Sequence, residues 1–61
     1  MKIWYVESNA AWFLLKAKTK AIAKSEGVAE FGRGITTNVR LATAEEIRYF
    51  IALKSEIGEA G

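Results

Sequence analysis

The residues able to do chemistry in this chain are few, and their spacing favours binding over catalysis. Lys16, Lys18, Lys20 and Lys24 form the densest cationic run, with Trp12 just ahead of them. Ammonium groups on phosphates and a ring stacked on a base are the elements of single-strand nucleic-acid binding. The same row also reads as a solvated sheet edge, where lysine blocks edge-to-edge aggregation. Arg33 stands between Gly32 and Gly34, a spacing that suits a backbone anion nest beside a guanidinium. A helix C-cap followed by a solvent-facing arginine accounts for the same three residues. Glu45 and Glu46 are the only adjacent acids, and neighbours on a helix point about 100° apart, so the pair does not converge on a cation. Arg48 and Tyr49, with a neighbouring glutamate, offer a surface cluster that a partner could recognise, and read in the first place as ordinary helix surface.

Catalysis is narrowed further by what is missing. The chain has no His, Cys, Asp, Pro or Gln, so its reactive inventory is Glu, Lys, Tyr, Ser, Thr and Arg. A Ser-His-Asp or Cys-His triad cannot be assembled within one chain. Structural zinc wants Cys and His ligands, and no disulfide can form. The expectation is therefore no enzyme, no metal and no cofactor. At 61 residues such a domain buries only about 60% of its unfolded surface. Without a disulfide or metal, tight packing or oligomerisation must supply the rest. Hydrophobic residues make up 51% of the chain and charged residues 26%, and the mean hydropathy of +0.05 is high for so small a domain. The net charge of +2, from nine basic and seven acidic residues, is mild. No segment reads as a secretory signal or a membrane span, so a cytoplasmic protein is expected.

The elements that must position these groups follow from local pattern. Lys2 to Glu7 is rich in β-branched and aromatic residues and reads as a strand. Ser8-Asn9 is turn chemistry. Residues 11–18 read as a second strand, because as a helix their apolar residues would surround the whole circumference; a long helix over 10–26 is the alternative. Thr19 is an N-cap for a helix to Gly32. Its predicted inner face is Ala21, Ile22, Ser25, Val28, Ala29 and Gly32; Gly27 costs about 1 kcal/mol relative to Ala, and whether the helix breaks there is left open by the sequence. Ile35 to Ala42 alternates as a half-buried strand. Thr43-Ala44-Glu45-Glu46 spells a capping box, and the helix behind it places Ile47, Phe50, Ile51, Leu53 and Ile57 on one face. Residues 58–61 are expected to fray. The result is a single α+β domain of β-β-α-β-α order, an antiparallel hairpin and a third strand packed with two helices.

The hairpin carries the functional expectation. With Ser8-Asn9 as a two-residue turn, Tyr5 stands opposite Trp12 and Ile3 opposite Leu14. One face is then Trp4, Val6, Ala11, Phe13 and Leu15, and the other is Ile3, Tyr5, Trp12 and Leu14. Any even-length loop keeps this division. If both helices cover the first face, the second exposes a contiguous apolar patch, which marks an interaction site. Tyr and Trp are favoured anchors in such sites. If one helix covers each face, the sheet is the middle of a three-layer core. The first arrangement predicts a protein interface at Ile3, Tyr5, Trp12 and Leu14 and a homodimer. The alternative function is a small nucleic-acid-binding regulator using Lys16, Lys18, Lys20, Lys24 and Arg33.

The layout resembles that of many short phage and prophage proteins. A hairpin ends in Lys16-Ala17-Lys18-Thr19 and enters a helix; a third strand closes in Ala42-Thr43-Ala44-Glu45-Glu46 and enters a second. Inhibitors of host defence, including anti-CRISPR proteins and the inhibitor of the Hachiman system, are among the characterised small phage proteins. The resemblance implies a non-enzymatic protein, often dimeric, that binds a host protein or complex. It carries over no functional residue.

Overall fold

The computed structural model describes residues 1–60, and the side chains of all of these except 36 and 37. The elements are β1 (Lys2–Ser8), β2 (Trp12–Ala17), α1 (Lys20–Phe31), β3 (Thr36–Leu41), α2 (Ala44–Ala52) and β4 (Gly58–Glu59). They form a mixed sheet of order β3-β1-β2-β4, so the domain is α+β. Within it β1 is antiparallel to both β2 and β3, and β4 runs parallel to β2.

Residues 12–17 are strand, as their wheel requires. The turn falls at Asn9-Ala10, one residue later than expected, because Ser8 is held inside the strand. Its N–H donates to the Ala11 carbonyl at 2.7 Å. Its Oγ accepts from the N–H of Ala11 at 3.0 Å and of Ala10 at 3.3 Å. The register therefore slips by two: Tyr5 faces Leu14 and Glu7 faces Trp12, not Tyr5 with Trp12 and Ile3 with Leu14. A slip of two keeps every side chain on its expected face.

Thr19 caps α1, its Oγ1 accepting from the Ile22 N–H at 3.2 Å. Gly32 ends the helix at φ +103°, with its N–H on the Val28 carbonyl. The helix runs unbroken through Gly27. Its inner line is Ala23 and Gly27, with Phe31 beyond them against Phe13, whereas Ala21, Ser25 and Ala29 face solvent. The expected face is thus rotated. Ala23 and Gly27 are one turn apart and let the helix backbone come close to the sheet. The core they complete is Trp4, Val6, Leu15, Ala17, Val39 and Ala60.

α2 packs on the opposite side, where Phe50 meets Trp12. The sheet is accordingly the middle of three layers, and the bare second face does not form. The predicted capping box is present: Thr43 Oγ1 accepts from the Glu46 N–H at 3.1 Å, and Glu46 Oε1 accepts from the Thr43 N–H at 2.9 Å. The predicted apolar face is only partly used. Phe50 is buried, while Ile51 is 57% exposed and Leu53 54% exposed. An arc as broad as Ile47 to Leu53 cannot lie wholly against a sheet that it meets at β2.

The tail expected to fray adds the fourth strand instead. Gly58 and Glu59 pair with Leu15 and Lys16. Ala60 is 5% exposed, and its N–H donates to the Lys16 carbonyl at 2.8 Å. Gly61, the last residue of that expectation, lies outside the described residues.

Candidate protein-binding surface

Tyr5 and Trp12 are diagonal neighbours on one face of the hairpin, within reach of large rings. Their centroids are 5.4 Å apart with planes inclined at 24°. Tyr49 of α2 continues the row, 6.2 Å from Trp12 at 21°. Phe50 seats the helix from below, its ring 5.4 Å from that of Trp12. Tyr5, Trp12, Tyr49, Glu45 and Glu46 line an open groove of 420 Å³. Both acids belong to the first turn of α2, where carboxylates complement the helix dipole.

An ion pair closes one end. Arg40 lies opposite Tyr5 on β3, and its guanidinium carbon sits 4.2 Å from the Tyr5 ring centroid. It donates to both carboxylate oxygens of Glu46, Nη1 to Oε1 at 2.8 Å and Nη2 to Oε2 at 2.6 Å. The Arg40 hydrogen bonds, chiefly, and the Thr43 N–H hold the Glu46 carboxyl down at about 2. The same carboxylate raises Arg40 above its ordinary value. Burial pushes the Tyr5 hydroxyl up, and so does its hydrogen bond to Glu7 Oε2 at 2.9 Å.

The four residues expected at the interface have different environments. Leu14 is 1% exposed, while Ile3, Tyr5 and Trp12 are half-buried. Tyr5 and Trp12 remain on the groove wall. Tyr49, Glu45 and Glu46 now share the groove with them. From the sequence, Tyr49 and Arg48 with a glutamate offer a partner-recognising cluster but read in the first place as ordinary helix surface, and Glu45 and Glu46 read as a first helical turn and capping box rather than a site.

The cationic row is not gathered. Lys16 stands on the sheet face that α2 covers, since it shares that face with Leu14 and Trp12. Lys20 and Lys24 are exposed on α1, on the other side, with Lys18 in the bend between. Arg33 is exposed in the turn before β3.

A second groove of 340 Å³ is lined by Phe13, Leu14, Leu15, Gly58 and four glutamates, Glu26, Glu30, Glu56 and Glu59. Among the described residues no three acidic side chains are grouped so as to hold a metal ion. No helix among them is long and apolar enough to cross a membrane. These features define a small α+β domain with an aromatic, acid-flanked surface groove. The chain matches no known protein family, curated protein or solved structure in comparison with each.

Proposed function

We propose that this chain is a non-enzymatic interaction protein that acts by binding another protein through the groove and the outer flank of α2. One observation carries the reading: the aromatic row Tyr5-Trp12-Tyr49 opens onto a helix that leaves large apolar side chains outside. Tyr49 is 59% exposed. Leu53 lies one turn beyond it on the same flank, so the two form a continuous ring-and-aliphatic strip. A Tyr and Trp surface with an aliphatic neighbour is typical of interface anchors. Self-association is part of the proposal, supported by the small core and the apolar residues left on the surface. That the partner belongs to a host-defence complex, and the chain to the phage inhibitors of such complexes, is part of the proposal and rests on size and layout alone. The nucleic-acid alternative has weaker support, because its lysines lie on both sides of the sheet.

Leu53→Glu tests the reading at an exposed position. The variant keeps the wild-type circular dichroism spectrum, but loses the concentration-dependent mass in sedimentation equilibrium. It also loses the protein that the tagged wild-type chain captures from cells of its source. Unchanged mass and unchanged capture in a folded variant would overturn the proposal. Binding to generic DNA with a steep salt dependence would favour the alternative.

A further inference from the structure

Rings and carboxylates beside α2 occur in two sets. In the first, the Arg40 guanidinium lies 4.2 Å from the Tyr5 centroid and is gripped by both oxygens of Glu46. A planar cation is shared between a π-face and a bidentate carboxylate, the arrangement that suits guanidinium best. The second set is Glu45 and Tyr49. They stand one helical turn apart, so they share a side of α2, and both line the groove. The chain's own guanidinium engages the first set, and no ion pair is made by Glu45 among the described residues. Trp12 joins the sets into one row of rings.

We infer that the groove binds an arginine side chain presented by a partner protein, its guanidinium on the Tyr49 ring and paired with the Glu45 carboxylate. The inference rests on the protein-binding reading and names the chemistry of the partner. Charge complementarity selects the occupant: Arg40 neutralises Glu46, which leaves the Glu45 carboxylate uncompensated beside the rings, where it attracts a cation and disfavours the phosphates that accompany a stacked nucleobase. The groove volume of 420 Å³ falls within the roughly 300–1,000 Å³ of small-ligand sites.

The test is a titration of the full chain with acetyl-Gly-Arg-Gly-amide, followed by NMR shifts of the Tyr49 ring and by Trp12 fluorescence. Trp4 is buried and bonded to the Ala17 carbonyl, so it contributes a constant background. The arginine peptide is expected to saturate. The same peptide with citrulline, a neutral isostere, should bind about tenfold more weakly, as should arginine peptide on Glu45→Gln or Tyr49→Leu. Both variants change exposed residues and should fold; Glu45→Gln gives up a helix-dipole interaction and Tyr49→Leu a ring contact with Trp12, so each should melt only slightly below wild type. Equal binding of the citrulline peptide, indifference to Glu45→Gln, or no saturation at millimolar concentration would each overturn the inference. So would tighter binding of a trimethyl-lysine peptide, which would make the site an ammonium site. If the peptide fails while Leu53→Glu still abolishes capture, the arginine site is wrong and the protein-binding reading stands. If both fail, neither survives.

Discussion

The ring of Trp12 lies 5.4 Å from that of Phe50, the planes inclined at 48°, and this contact is what seats α2 on the sheet. Phe50 is the buried residue of the helix, so most of its apolar anchoring passes through one side chain. Phe50→Ala should cost about 3–5 kcal/mol, the usual range for a large ring removed from a core. Urea denaturation measures it. A loss below about 1 kcal/mol would show that the helix is held elsewhere.

Trp4 anchors the opposite face. Its Nε1–H donates to the Ala17 carbonyl at 3.0 Å across the hairpin. Trp4→Phe keeps a ring but removes this buried hydrogen bond. The expected loss is about 0.5–1.5 kcal/mol, read from the same denaturation curves.

Acid should loosen the start of α2. The Glu46 carboxyl is lowered from 4.5 to about 2 in the folded chain. A depressed carboxylate adds stability that is complete above its unfolded value and disappears as the pH falls through its folded value. The contribution of Glu46 should therefore fade between about pH 4.5 and 2. Glu46→Gln should flatten this part of the stability profile, and added salt should shrink the wild-type change because the pair is partly exposed. A profile as steep in the variant as in wild type would count against the pairing.

Removing the cap tests the same end of the helix independently of charge. Thr43→Ala deletes the hydroxyl that accepts from the Glu46 N–H and should cost about 1 kcal/mol. Amide exchange at Glu46 should speed up, with the amides of α1 unaffected.

The terminal strand is open to a direct check. The Ala60 N–H donates to the Lys16 carbonyl, so its exchange should be slowed well beyond that of a free chain end. Ala60→Glu forces a charge into the site or detaches the strand. Either outcome removes the protection and lowers the denaturation midpoint.

Much of the architecture was legible because it is written in local chemistry. Thr19 and Thr43 each place an acceptor where a helix has unpaired N–H groups. Gly32 supplies the positive φ on which α1 ends. Val39 and Arg40 alternate because successive strand residues point oppositely. The short strand at Gly58–Glu59 was not legible. Gly and Glu have little preference for a strand, and what places them there is the open edge of β2.

The sequence by itself determined the first five elements, the helix N-caps and the division of hairpin side chains into two faces, since each depends on a few neighbouring residues and on an even turn. Only the tertiary structure decided which side α2 takes. β3 lies at the sheet edge, and the chain leaving it at Ala42, whose N–H bonds to the Ile3 carbonyl, can cross either face. α2 takes the Tyr5 side, where Phe50 packs on Trp12 and Arg40, pointing the same way, meets Glu46 at the third position of the helix. That choice buries Leu14, turns Tyr49 and Leu53 outward, and creates the groove from residues more than thirty positions apart in the chain, whose proximity no local pattern encodes.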